Sequence, residues 1–329
     1  MKKQKKSKGI ISTCILLILV LVIGYSGLQI LESTDWLDDE LSAIGINRKT
    51  ITRDGVDYFP RQDITVMMVL GIDLSGPVES SRYYRNDGEA DTVMLLIFDE
   101  TNKECSILNL NRDTMLDMDV LGVKGEYAGT NYGQLALAHT YGTGLEDSCK
   151  NTKNTLENFI HGLTIDYYVA MNMDALTILN DAVGGVEVTV VDDFSKVNPD
   201  ITMGEFTLRG DQVLDYVRGR KNVGDQLNTS RMERQKEYAV NFLEALQTKA
   251  QEDGSFYLST YDEVAPYIVT DCSAKSLSAM LERYEDFTIG QVVTPEGKNV
   301  RGEKNYEFYT DEEKLDQLIV SLFYAPKRK

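Results

Sequence analysis

Two stretches of this chain carry almost nothing polar: Ile64–Ile72 (ITVMMVLGI) and Thr92–Phe98 (TVMLLIF). Neither alternates apolar with polar residues, as a strand with one wet face does. Both are rich in the residues of a strand buried on both sides. A turn at Asp99–Lys103 leads to a third strand, Cys105–Leu110. If the three pair as an antiparallel meander, the end of the first, the start of the second and the end of the third share one edge of the sheet. Those positions are Asp73, Asp91 and Arg112-Asp113. A long polar loop with Gly76-Pro77, Arg82, Arg85 and Asp87 sits beside them, and loops of such length in compact domains tend to be functional or disordered.

Further along, the pattern predicts amphipathic helices at Tyr132–Tyr141 and Ser148–His161 and a short strand at Asp166–Val169. A helix at Asp174–Val183 is stopped by Gly184-Gly185, and an alternating strand follows at Val186–Val191. Ser230 and Glu233 read as a capping box opening a long helix to about Lys249. On that helix Arg231, Arg234, Gln235, Tyr238, Phe242 and Leu246 share one stripe. Upstream, Arg218 and Arg220 end what reads as a strand-like run. In an extended chain their guanidinium forks would point the same way, spaced to grip a diphosphate. The last part of the chain holds another strand, helices and the run Lys314–Phe323, without evident site chemistry.

These arginines stand out because the chain has a formal net charge of −18. Such a surface repels nucleic acid, no helix-turn-helix is recognisable, and a local cluster of cations implies a specific phosphate ligand. The first eight residues contain five lysines, and the 22 residues from Ile10 to Leu31 carry no charge. As a helix that run is roughly 33 Å long, enough to cross a bilayer. The lysines put the N-terminus in the cytoplasm and the rest outside. A cleaved signal peptide is the alternative; the run is longer than the usual apolar core of one, and no clear cleavage site follows. The expected order is a basic tail (1–9), an anchor (10–31), a juxtamembrane stalk (32–63) and an extracellular domain (64–329). Cys105, Cys149 and Cys272 lie outside, so one disulfide is possible with one thiol left over. His139 and His161 read as packing or surface residues, and two histidines without partners do not make a zinc site.

Asp73 or Asp91 alone reads as an ordinary strand end. Two acids at one sheet edge suit a hard cation such as Mg²⁺, which uses one or two carboxylates with substrate phosphates and water. Arg112 could simply pair with Asp113, and Arg218 and Arg220 could be a solvated edge. The arginines at the start of the long helix favour an anion site, because helix N-termini attract anions. No Ser-His-Asp arrangement, Walker loop or dinucleotide fingerprint appears.

Seven stretches in order resemble the LytR-CpsA-Psr family: VMMVLGID (Val66–Asp73), ADTVMLLIFD (Ala90–Asp99), NRDT (Asn111–Thr114), IDYYVAMNMDAL (Ile165–Leu176), DAVGGVEVTV (Asp181–Val190), LDYVRGR (Leu214–Arg220) and RMERQ (Arg231–Gln235). The resemblance implies an extracytoplasmic α/β domain, a central mixed β-sheet flanked by helices, behind one transmembrane helix. It implies a groove for a polyprenyl-pyrophosphate lipid and transfer of a phosphate-linked glycopolymer, such as teichoic acid or capsule, from that lipid to peptidoglycan. By motif, Asp73 and Asp91 are implied to hold Mg²⁺ (or Mn²⁺). Arg112, Arg218, Arg220 and Gln235 are implied to contact the pyrophosphate, with Arg231 and Arg234 in support. Two positions depart from the family pattern. Ser75 stands where many members have an arginine, for which Arg82 or Arg85 is a candidate substitute. Asn228 stands where many have an acid, with Asp225 three residues earlier. Asp113 or Asp225 is the candidate for accepting the proton of the attacking hydroxyl. The alternatives are a polyprenyl-phosphate-binding regulatory protein and a pyrophosphatase.

The charge pattern at the N-terminus yields a direct test. Protease added to intact protoplasts is expected to digest the large domain and spare only a short anchor; a fully protected domain would refute the extracellular orientation.

Overall fold

In the computed structural model the described residues are 50–53, 55–224, 228–253, 256–272, 283–284, 287–303 and 305–326. The expected basic tail and anchor lie outside them, as does Asp225. Among the described residues no helix is long and apolar enough to cross a membrane.

The chain opens with β1 (Ile51–Arg53) and β2 (Val56–Pro60), inside the segment expected to be a stalk. The expected meander follows: β3 (Ile64–Ile72), β4 (Ala90–Asp99) and β5 (Glu104–Leu110), antiparallel throughout. Residues of β3 alternate between two cores. Val66, Met68, Leu70 and Ile72 face one, and Met67 and Val69 face the other, all buried. That is why the run carries no polar alternation.

β6 (Met115–Leu121) and β7 (Tyr127–Gln134) form an antiparallel pair, followed by a 3-10 turn at Leu135–Thr140. The predicted helix at Tyr132–Tyr141 is therefore corrected. Gly129, Asn131 and Gly133 are weak helix formers, and pairing with β6 satisfies their backbone instead. Helix α1 (Glu146–Phe159), β8 (Tyr167–Asn172), α2 (Met173–Ala182) and β9 (Val186–Val190) follow the predicted pattern. β10 (Gly204–Leu208) pairs with β9, and α3 spans Gln212–Arg218. Here a second expectation is corrected: the run ending at Arg218 is helical, because Val213, Tyr216 and Val217 recur at helical spacing and are buried together.

The long helix α4 (Asn228–Glu252) starts two residues before Ser230, so Ser230 lies in its first turn. Beyond it come α5 (Phe256–Val264), β11 (Ile268–Thr270), β12 (Thr288–Val293), the hairpin β13 (Gly297–Arg301) and β14 (Tyr306–Thr310), α6 (Glu312–Phe323) and β15 (Tyr324–Pro326). The main sheet is six-stranded and mixed, in the order β11-β8-β3-β4-β5-β12, with β8 parallel to β3 and β12 parallel to β5. Helices α1 and α6 cover one face, through Leu156, Leu315 and Ile319. Tyr284 and Phe287 cover part of the other, with the Tyr284 ring stacked on Phe98. β15 joins β2 and β1 in a small sheet, so these two opening strands belong to the folded domain.

Cys105, Cys149 and Cys272 are buried and not joined in a disulfide, so the bridge considered from sequence is not formed among them. Burial pushes the Cys272 thiol up to about 12 and Cys149 further still.

The loop from Asp73 to Glu89 is held by backbone contacts such as Val78 N to Pro266 O and Ser81 N to Thr143 O, and by a buried amide. Asn86 Nδ2 lies 2.9 Å from His139 O, 3.1 Å from Gly142 O and 3.0 Å from Ser148 Oγ. Its Oδ1 accepts from Gly88 N at 2.8 Å. His139 Nδ1 reaches Gly88 O at 2.9 Å, so the histidine is a buried packing residue held neutral by burial. Removing the amide strands several buried polar groups, each costing about 1–3 kcal/mol. Asn86→Ala is expected to lower stability by at least about 2 kcal/mol, read as a reduced urea midpoint at unchanged slope.

Candidate functional site

The site begins where two helices meet. The last carbonyls of any helix lack intrahelical partners, and α3 is short. Here α4 supplies the partners. Arg234 Nε donates to Tyr216 O at 3.0 Å, its Nη2 donates to Gly219 O, and Gln235 Nε2 donates to Val217 O at 3.1 Å. Arg234 Nη1 also binds Asp192 Oδ2 at 2.6 Å, and its guanidinium lies 5.4 Å from the Phe194 ring centre. Gly219 fits because a Cβ there would stand 2.7 Å from Asp215 O and 3.1 Å from Phe194. Arg234 and Gln235, expected at the ligand, thus spend these donors on fixing the end of α3. What they fix are Arg218, the last residue of α3, and Arg220, just past Gly219.

Four acids and four arginines gather at the sheet edge expected from the meander. Arg218 Nη2 binds Asp73 Oδ1 at 2.7 Å. Arg112 pairs with Asp91 through Nη1 and with Glu89 Oε2 at 2.6 Å through Nη2, and its Nε lies 3.6 Å from Asp113 Oδ1. Arg220 Nη1 lies 3.9 Å from Asp113 Oδ2, and Arg231 Nη1 lies 3.9 Å from Asp91 Oδ2. Asp113 is buried and accepts from Gln134 Nε2 at 3.0 Å.

Arg231 is the anomaly of the cluster. It is 6 % exposed, and its Nε has no hydrogen-bond partner among the described residues. Burial, followed by the positive charges of Arg112 and Arg220, pushes its guanidinium down to about 10, against a counteracting pull from Asp113. A buried cation with an unspent donor, crowded by other cations, is a site where an anion lowers the energy of everything around it.

The structure brings together Asp73, Asp91, Arg112, Asp113, Arg218, Arg220 and Arg231. It leaves Arg82 and Arg85 out: Arg82 is exposed on the loop, and Arg85 stacks on Tyr141 at 4.1 Å. Sequence reasoning missed Glu89, Gln134 and Asp192. Glu89 sits two residues before Asp91 and could have been suspected; Gln134 and Asp192 are brought in only by tertiary packing.

As a cation site, Asp73 and Asp91 offer hard carboxylate oxygens on neighbouring strands, joined where Asp73 N donates to Glu89 O at 2.9 Å. No group of three or more His, Cys, Asp or Glu side chains able to hold a metal occurs among the described residues. Two carboxylates completed by substrate phosphate and water fit Mg²⁺ better than a closed protein cage would.

A protein-family model described as the LytR_cpsA_psr family matches residues 32–322. The chain belongs to this family. A LytR_cpsA_psr relative from Enterococcus faecalis, named polyisoprenyl-teichoic acid–peptidoglycan teichoic acid transferase TagU, is 29 % identical over 67 % of this chain and 65 % of its own length. The protein of the same name from Halalkalibacterium halodurans is 30 % identical over 62 % of this chain and 60 % of its own. The chain therefore spans somewhat under two thirds of these relatives. The crystal structure of a Streptococcus agalactiae protein superposes with a TM-score of 0.63 at 19 % identity, covering 79 % of this chain and 86 % of that one, a likeness of fold.

Within this LytR_cpsA_psr domain Arg231 Nη1 lies 3.9 Å from Asp91 Oδ2, and removing one partner of a buried charge pair leaves the other uncompensated. Arg231→Met is expected to melt below the wild type, and to bind an inorganic or lipid-linked diphosphate at least about tenfold more weakly. Calorimetry of both quantities checks it; unchanged diphosphate affinity would show that Arg231 serves only the fold.

Proposed function

We propose that this protein is a membrane-anchored phosphotransferase, with its N-terminus in the cytoplasm and its large domain outside the cell. It moves a phosphate-linked glycopolymer from a polyprenyl diphosphate to peptidoglycan. The observation that carries the reading is the buried Arg231, with its unspent Nε, among Arg112, Arg218 and Arg220. Family membership and the names of the two relatives support the choice of substrate, with teichoic acid as the favoured polymer class.

The arginines would neutralise the diphosphate and stabilise the charge that builds on the leaving phosphate. A sugar hydroxyl of peptidoglycan attacks the phosphorus nearest the polymer. A new O–P bond forms there, the bond from that phosphorus to the bridging oxygen breaks, and polyprenyl monophosphate leaves with the bond's electrons. Asp113, held by Gln134 between Arg112 and Arg220, would take the hydroxyl proton, with Asp225, outside the described residues, as the alternative. Asp73 and Asp91 would hold Mg²⁺ (or Mn²⁺), which would supply further positive charge at the phosphates.

The test is polymer transfer by the purified full-length protein in detergent, with a lipid-linked donor and peptidoglycan. Asp91→Asn should lose most turnover and shift the Mg²⁺ requirement. Arg218→Lys, which keeps charge but loses the planar fork, should cost roughly 10- to 150-fold. Phosphate release without polymer on peptidoglycan would identify a pyrophosphatase instead, and lipid binding without turnover a carrier.

A further inference from the structure

Beside the arginine cluster lies a cavity of about 320 Å³, between the β6–β7 hairpin and the β13–β14 hairpin. That volume is at the small end of ligand pockets, roughly 300–1,000 Å³. Met115 and Gly133 form part of its wall, and Glu303, Asn305 and Glu307 bring polar groups from the end of the second hairpin. Gln134 also lines it, and that amide joins the cavity to the cluster. Gln134 Nε2 donates to Tyr306 O at 2.8 Å and to Asp113 Oδ1 at 3.0 Å, one side chain away from Arg112 and Arg220. The hairpin is docked on the same acid, with Phe308 N donating to Asp113 O at 2.8 Å.

We infer that this cavity is the acceptor subsite, binding an uncharged or amine-bearing stretch of glycan next to the phosphate site. The inference rests on the phosphotransfer reading and names where the acceptor sits. Charge selects the occupant. The phosphorylated donor needs cations, whereas the described residues lining this cavity carry none and include two carboxylates. Carboxylate and amide oxygens accept from sugar hydroxyls, and the apolar wall receives the C–H face of a sugar ring. The Tyr309 hydroxyl donates to Glu307 Oε2 at 2.7 Å, which holds that carboxylate in place. A glycan seated here is one side chain, Gln134, away from Asp113.

The experiment measures saturable binding to the full-length protein in detergent by calorimetry. The probes are a chitin tetrasaccharide, its deacetylated amine form, a carboxylated tetrasaccharide and, separately, a polyprenyl diphosphate. The amine form should bind best, the neutral form next and the carboxylated form least. Glu307→Gln should weaken the amine form about tenfold. Glu303→Arg, on an exposed turn where folding is not at stake, should erase the preference for the amine. Neither variant should change diphosphate binding. Absence of saccharide binding by the wild type, or equal binding by wild type and both variants, would overturn the inference. Saccharide binding without any diphosphate binding would overturn the phosphotransfer reading and leave the saccharide site standing.

Discussion

Arg234 holds the functional end of the molecule together. Its guanidinium satisfies carbonyls at the end of α3, pairs with Asp192 beyond β9, and belongs to the first turns of α4. Glu237, one residue beyond Lys236 on the same helix, accepts from the Tyr216 hydroxyl and from Thr189 N, tying the same three elements a second time. A short helix has little stability of its own. Arg218 and Arg220 stand where they do because a buried planar fork grips the backbone that carries them. Lysine could not reproduce that, since one ammonium cannot reach two carbonyls and a carboxylate in a plane.

The remaining charges are balanced locally: Asp73, Glu89, Asp91 and Asp113 against Arg112, Arg218, Arg220 and Arg231. Balance keeps so dense a cluster foldable inside a chain of strong net negative charge. It does not make every member comfortable. Among the described residues Arg231 is buried without a partner for its Nε, and such tension persists only where the surrounding structure enforces it.

How much of this could be read beforehand depended on whether local pattern or tertiary contact decided it. The apolar runs of β3 and β4 declared a sheet covered on both faces, and the meander put Asp73, Asp91 and Arg112 at one edge, because strand order and turn length constrain geometry directly. The region around Tyr132 misled because LALAH offers a helical rhythm that the preceding glycines break. Arg218 misled because VLDYVR is apolar enough for either element, and burial of Val213, Tyr216 and Val217 against α4 and β9 settled it as helix. Arg231 and Arg234 looked equivalent on the helix stripe, yet one faces the acids of the sheet edge and the other the backbone of α3. The β13–β14 hairpin was illegible as part of the site, since its link to Asp113 runs through main-chain and amide contacts that no motif records.

Every carboxylate at the sheet edge already has an arginine partner, and this makes ligand entry an exchange. An anion that draws Arg218 away leaves Asp73 bare, and one that draws Arg112 away leaves Asp91 with Arg231 alone. A bare carboxylate in such surroundings recruits a cation. In the proposed phosphotransfer reading, anion and cation would strengthen one another's hold by the same factor, as thermodynamic reciprocity demands. Either alone meets a locked set of ion pairs; arriving together, they find the lock already turned.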